Sequence, residues 1–295
     1  MSPAFLGLGA IGRPMAARVA GVFANLVVWN RTAERAREFA AQHRVRAVES
    51  PAEAAKEADV VITCLPVSRD VESLLDGPTG LLATMRRGAT LVDCTSGDPA
   101  TSRRIAARLS EKGIGYVDAP VSGGVAGAEK GTLTVMVGGD PAVFTRMQPI
   151  FKSFGQKIVH CGDVGAGDAL KAVNNAMLAV HILSTAEGLA TLKKMGVDPK
   201  IALDVINTSS GRSNTSMNLF PERVVSRAFP RTFRLALLEK DIGIAAQVAR
   251  DNKVPAPVTQ LAADLFTLAR GELGEVADHV EAVRLIEQWA GVEIS

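Results

Sequence analysis

The run Gly7-Leu8-Gly9-Ala10-Ile11-Gly12 closes the apolar segment Ala4–Leu8 and leads into the helix-prone stretch Pro14–Ala20. Each glycine answers a separate steric demand. The first permits a tight turn, the second lets a diphosphate approach the backbone, and the third lets the helix pack against the strand. The helix that follows offers unpaired N–H groups and the positive end of its dipole to an anion. Three spaced glycines alone are weak evidence. Opening a strand–turn–helix unit, they point to a dinucleotide.

The rest of the first half keeps that rhythm. Strand-like runs at Leu26–Trp29, Val45–Val48, Val60–Leu65, Thr90–Cys94 and Tyr116–Ala119 alternate with helical stretches such as Ala33–Gln42 and Ala100–Lys112. Such alternation predicts a parallel sheet with helices on both faces. Val60-Val61-Ile62-Thr63-Cys64-Leu65 is apolar almost without interruption, as burial on both faces requires. Two more strands, Thr132–Val137 and Lys157–Cys161, flank a helix opening at Pro141. A glycine-rich hinge at Gly162–Gly167 then ends the strand pattern. Helices follow at Asp168–Met195, Pro199–Asn207, Arg234–Asn252, Pro257–Arg270 and His279–Gln288. The long first one is expected to pack through Ala169, Val173, Ala176, Val180 and Leu183. The expected fold is an α/β Rossmann-type doubly wound sheet (residues 1–162) followed by a smaller all-α domain (residues 163–295) for substrate binding and oligomerisation.

Composition removes several function classes. Hydrophobic residues are 47% and charged residues 22%, and the net charge is only +2. That balance gives no reason to expect a nucleic-acid or anionic-membrane partner. No apolar run reaches the roughly 20 residues of a membrane span. Met1–Gly7 carries no charged leader or cleavage site, so a cytoplasmic location is expected. Cys64, Cys94 and Cys161 are isolated, odd in number and without metal-ligand spacing. They are expected to be buried, reduced thiols, and no metal site is expected.

The second strand ends in Asn30-Arg31-Thr32. An acidic residue here would bind the ribose 2′-hydroxyl of NAD. A neutral acceptor, a guanidinium and a hydroxyl suit a 2′-phosphate instead. NADP is therefore the expected cofactor, with NAD as the open alternative. Leu65-Pro66 and Thr95-Ser96 end the next strands, where open α/β sheets bind ligands.

Three further segments carry chemistry. Asp118-Ala119-Pro120-Val121-Ser122-Gly123-Gly124 offers a serine hydroxyl and exposed backbone N–H groups, a cradle for a carboxylate. In Gly167-Asp168-Ala169-Leu170-Lys171-Ala172-Val173-Asn174-Asn175, Lys171 and Asn175 are four apart on one helix face, about 6 Å from one another. Lys240-Asp241 lies within an otherwise apolar helix.

With these segments in this order, the whole chain resembles the 3-hydroxyisobutyrate dehydrogenase family, the β-hydroxyacid dehydrogenases. The resemblance implies roles by position. Lys171 matches the family's catalytic lysine, which takes the hydroxyl proton in oxidation and returns it in reduction. Ser122, Gly123, Gly124, Asn175 and Asp241 match the substrate side. Gly7, Leu8, Gly9, Ala10, Ile11, Gly12, Asn30, Arg31, Thr32, Leu65, Pro66, Thr95 and Lys240 match the cofactor side. Where the family often has methionine before the third glycine, this chain has Ile11. A lysine can act as such a base when burial near a cationic ring lowers its pKa. Asn175 can bond to substrate without adding charge.

Other oxidoreductase chemistries fit less well. A Tyr-x-x-x-Lys pair is absent, since Tyr116 is the sole tyrosine and Pro120 stands four residues on. Zinc ligands are lacking, and His181 reads as a packed helix histidine. Within the resemblance, a small 3-hydroxyacid oxidised by NADP is expected. Reduction of tartronate semialdehyde, glyoxylate or succinic semialdehyde is the alternative, and an NADP-binding sensor the non-enzymatic one. Arg212 and Ser213 in the loop Ser209–Asn214 have no assigned role. A homodimer or homotetramer is expected.

Overall fold

The computed structural model describes all 295 residues. They divide into two compact units, Met1–Lys171 and Ala172–Ser295. The division falls inside a helix, beyond the glycine-rich hinge at which the sequence places it.

The first unit is built on strands β1 (Pro3–Leu6), β2 (Val27–Trp29), β3 (Arg46–Ala47), β4 (Val60–Thr63), β5 (Thr90–Asp93), β6 (Gly115–Asp118), β7 (Val121–Ser122), β8 (Leu133–Gly139) and β9 (Gly155–Gly162). They form one sheet in the order β3-β2-β1-β4-β5-β6-β8-β7, with β9 on β8. The pairs from β3 to β6 are all parallel, and β8 runs antiparallel to β6 and β7. The chain order therefore reverses between β1 and β4, and ligands of such sheets bind beyond the strand ends there.

Alternate residues of each strand feed two cores. Phe5, Val28, Ile62, Val92 and Val117 pack on one face with Met15, Phe39 and Phe151. Ala4, Leu6, Val61, Leu91 and Tyr116 pack on the other with Leu75, Ile105 and Leu109. The covering helices are α1 (Gly12–Ala20), α2 (Ala33–His43), α3 (Pro51–Ala55), α4 (Ser68–Ser73), α5 (Pro99–Ser110), α6 (Gly124–Lys130) and α7 (Pro141–Phe154). Helices α3, α5 and α7 begin alike. Ser50, Asp98 and Asp140 accept amide hydrogens from the first turn, and a proline follows each cap. Each cap contributes about 1 kcal/mol.

Helix α8 (Ala166–Lys194) begins in the first unit and continues into the second. The second unit adds α9 (Pro199–Asn207), a π-helical segment (Thr215–Val225), α10 (Leu235–Asp251), α11 (Pro257–Leu273) and α12 (Val283–Ala290). Phe220, Leu238, Ile242, Phe266 and Val280 centre its core.

Several expectations are corrected. The packing face of α8 runs through Ala172, Ala176, Ala179, Leu183 and Ala186, whereas Val173 is 43% exposed. Small apolar residues surround this helix, so its sequence alone does not choose the face. The expected helix His279–Gln288 is a 3-10 turn (His279–Ala282) leading into α12, set off by a capping box between Asp278 and Glu281. The π segment, which the sequence reading leaves unassigned, accommodates Pro221 within its turns. Cys94 is buried, but Cys64 and Cys161 are only partly so. Burial still pushes all three thiols up, Cys64 to about 12, so they remain protonated. No helix is long and apolar enough to cross a membrane.

Candidate active site

The glycine turn is packed to its steric limit on one side and open on the other. Gly7 has φ +104°, and a Cβ there would lie 2.3 Å from the Cys64 carbonyl oxygen. A Cβ on Gly12 would lie 2.0 Å from the Gly7 carbonyl oxygen. Gly9 alone would meet nothing within 4 Å. That open side, beside a helix that no side chain caps, fits a diphosphate laid across the turn.

Asn30 holds this turn to the sheet. Its Oδ1 accepts from the Leu8 N–H at 2.9 Å, and its Nδ2 donates to the Thr32 carbonyl at 3.0 Å. Both polar ends are engaged within the protein, so Asn30 fixes the shape of the turn on which the expected cofactor contacts depend. Arg31 and Thr32 follow it in exposed positions, and the Thr32 side chain does not cap α2.

At the ends of β4 and β5, Asp93 is buried beneath the next segments. It accepts from the Thr63 hydroxyl at 2.8 Å, the Thr95 N–H at 3.0 Å and the Tyr116 hydroxyl at 3.3 Å. Thr95 in turn accepts from the Leu65 N–H at 3.1 Å. The two cofactor-side segments, Leu65-Pro66 and Thr95-Ser96, are thereby tied together.

Asp118, at the end of β6, is fully buried. Its oxygens accept from the N–H groups of Gly165 at 2.8 Å and Asp168 at 2.9 Å. A residue of the sheet thus caps α8. Asp168, also buried, accepts from the Gly97 N–H at 3.0 Å and the Ser102 hydroxyl at 2.6 Å. Burial pushes both carboxyls up, and at Asp168 the nearby charges of Asp118 and Asp93 add to the effect. Three residues further along α8 stands Lys171, only 9% exposed. The segment after Asp118 is more ordered than a loop. Ser122, half-buried, pairs with Thr134 through β7, and Gly123 and Gly124 turn exposed into α6.

In the second unit Asn175 is 3% exposed, and its Nδ2 donates to Asp241 Oδ2 at 2.6 Å. The Asn174 amide donates to Asn175 Oδ1 at 3.1 Å. The other oxygen of Asp241 lies 3.0 Å from Lys240 Nζ. Asp241 is itself 2% exposed and neutralised by this cation. It therefore faces Asn175 and Lys240 and holds them.

Residues 2–162 match the family model described as the NAD binding domain of 6-phosphogluconate dehydrogenase. Residues 165–286 match that described as the NAD-binding region of NADP-dependent 3-hydroxyisobutyrate dehydrogenase. The 3-hydroxyisobutyrate dehydrogenase of Pseudomonas aeruginosa is 37% identical over 90% of this chain and 91% of its own. The chain belongs to the 3-hydroxyisobutyrate dehydrogenase family. Another relative, the 2-(hydroxymethyl)glutarate dehydrogenase of Eubacterium barkeri, is 37% identical over 99% of this chain and 96% of its own. The Mycobacterium tuberculosis 3-hydroxyisobutyrate dehydrogenase, solved with L-serine, superposes with a TM-score of 0.88. It is 32% identical, covering 97% of this chain and 98% of that one.

As a member of the 3-hydroxyisobutyrate dehydrogenase family, the protein is an NAD(P)-dependent oxidoreductase acting on hydroxyacids. Its fold is the family's Rossmann-type sheet followed by a helical unit. Asp93, Asp118 and Asp168 were not singled out as functional positions by sequence. The available signal was an acidic residue closing two successive buried strands, Thr90-Leu91-Val92-Asp93 and Gly115-Tyr116-Val117-Asp118.

Proposed function

We propose that the protein oxidises a 2-hydroxymethyl carboxylate, HOCH2–CHR–COO⁻, to its semialdehyde with NADP, and that Lys171 is the general base. The observation that carries this reading is a buried lysine on the first turns of a helix capped from the sheet. The relatives support the substrate class. 3-Hydroxyisobutyrate, 2-(hydroxymethyl)glutarate and L-serine share the primary alcohol one carbon from a carboxylate. They differ only in R, which is methyl, carboxyethyl or ammonium. A site selective for the shared part needs a proton acceptor at the alcohol and donors at the carboxylate.

Lys171 takes the hydroxyl proton as the C–H bond breaks and the carbonyl forms; in reduction it returns the proton. The chemistry supplied by a bound nicotinamide is uptake of the hydride. Ser122 and the Gly123 and Gly124 amides hold the carboxylate, and Asn175, oriented by Asp241, meets the substrate through its amide. The Gly7–Gly12 turn, Leu65, Pro66, Thr95 and Lys240 serve the cofactor. Arg31 and Thr32 favour a 2′-phosphate, because a guanidinium makes charge-assisted bonds to it and the strand ends in Asn30 and not in an acidic residue. Exposed apolar residues on the second unit, among them Ile201, Val205, Val258 and Leu261, support a homo-oligomer.

The test is reduction of NADP and NAD followed at 340 nm, with 3-hydroxyisobutyrate, L-serine, 2-(hydroxymethyl)glutarate and the 2-hydroxyacid lactate as substrates. Turnover of one of the first three, faster with NADP and absent with lactate, is expected. Turnover of lactate alone would overturn the substrate class, and faster turnover with NAD the cofactor assignment.

A further inference from the structure

We propose that Asp118 and Asp168 are positioning residues that together set where Lys171 stands at the edge of the sheet. The inference rests on the reading of Lys171 as proton carrier. Neither carboxylate needs to touch a reacting atom. They act in series: Asp118 fastens α8 to the end of β6, and Asp168 fastens the same helical turn to the segment after β5.

The joints have little slack. A Cβ on Gly167 would lie 2.3 Å from the Met136 carbonyl oxygen and 2.9 Å from Asp118 Oδ2. The first turn of α8 therefore rests directly on β8 and on the carboxylate. A Cβ on Gly97 would lie 3.0 Å from Asp168 Oδ2 and 2.8 Å from the Ser68 hydroxyl. The segment carrying Thr95 is thus drawn against α8 as closely as backbone allows. A helix is stiff over one turn, so Lys171 inherits the placement of Asp168.

The donors distinguish the two carboxylates. Asp118 receives backbone N–H groups on both oxygens, from Gly165 and Asp168. An asparagine has one acceptor oxygen and would turn its NH2 against one of these donors. Asp168 receives one N–H, from Gly97, and one hydroxyl, from Ser102. An asparagine there keeps the first bond and reverses the second, since a serine oxygen also accepts. A geometric role therefore predicts that asparagine is tolerated at 168 and not at 118. A role for negative charge alone would make the two positions behave alike.

The experiment compares kcat, KM and cofactor Kd for Asp118→Asn, Asp168→Asn, Asp168→Ala and Ser102→Ala, using whichever hydroxyacid the wild type turns over. A misplaced catalytic group costs up to about a hundredfold in rate, so Asp118→Asn and Asp168→Ala should lose about tenfold or more in kcat. Asp168→Asn should stay within about threefold of wild type, and cofactor Kd should hardly move in Asp118→Asn and Asp168→Asn, which keep the bond from Gly97 to residue 168. If Asp118→Asn does not fold, the contrast of Asp168→Ala with Asp168→Asn and Ser102→Ala decides. Equal losses in the two asparagine variants, or full kcat in Asp168→Ala, would overturn the proposal. Full kcat in Lys171→Ala would remove the reading on which it rests. An inactive Lys171→Ala with a fully active Asp118→Asn would overturn the positioning alone.

Discussion

Asn175 Nδ2 and Asp241 Oδ2 are 2.6 Å apart, and both residues are buried. This bond, with the Asn174 amide on the opposite end, leaves the Asn175 side chain one orientation. Replacing Asp241 with alanine removes the acceptor, strands the buried Asn175 amide and takes away the ion pair to Lys240. A buried amide stranded in this way costs about 1–3 kcal/mol. Asp241→Ala should therefore lower kcat/KM by about ten- to a hundredfold and reduce thermal stability, while Asp241→Asn, which keeps an acceptor for Asn175, loses less. Steady-state kinetics and melting curves of the two variants check this; equal losses would show that the Lys240 ion pair, and not the amide orientation, is what matters.

Lys171→Ala removes the proposed base without disturbing the glycine turn. Loss of a general base typically costs about 10²–10⁴-fold in rate. We expect that loss in kcat, with NADP affinity within about threefold of wild type by fluorescence titration. A matching loss of cofactor binding would point to a structural effect instead.

Arg31→Ala should raise the KM for NADP at least tenfold and leave that for NAD nearly unchanged, because a charge-assisted bond to phosphate contributes about 1.5–3 kcal/mol. Equal changes for the two cofactors would place the 2′-phosphate elsewhere.

The second unit carries an acid-sensitive joint. Asp278 is 1% exposed and accepts from the Thr232 N–H and hydroxyl, the Phe233 N–H and His279 Nδ1. Burial pushes its carboxyl up, but the bonds from His279 and the backbone prevail and hold it well below the usual range. Its contribution is fully present above the unfolded-state value of about 3.9 and is lost as pH falls through that value towards the lower folded one. Asp93, Asp118 and Asp168, whose carboxyls are raised, change in the opposite sense: their protonation favours the folded state as pH falls. Wild type and Asp278→Asn share those groups, so the difference between their denaturation curves isolates Asp278. That difference should shrink from about pH 5 downward; a difference constant with pH would rule the mechanism out.

Much of this molecule is legible in its sequence where function follows from local chemistry. The glycine turn needs only three glycines at two spacings, and strands such as Val60–Thr63 announce burial on both faces by composition. What escapes is the choice among equivalent faces and the identity of partners distant in sequence. Helix α8 has alanine on several sides, so the packing face through Ala172 and Ala176 depends on neighbours more than 20 residues away. Asp168 reads as an ordinary first-turn acid until Gly97 and Ser102 are found beneath it. Asn30 reads as a candidate cofactor contact, and its bonds to Leu8 and Thr32, which tie the turn to the strand end, show only in the structure.

The stitch at Asn30 also gives any substitution of that residue a structural consequence. An aspartate there would still accept the Leu8 N–H, but it would lose the donor to the Thr32 carbonyl and set a negative charge against it. Position 30 is thus a structural post, and a change there alters the glycine turn together with whatever that turn holds.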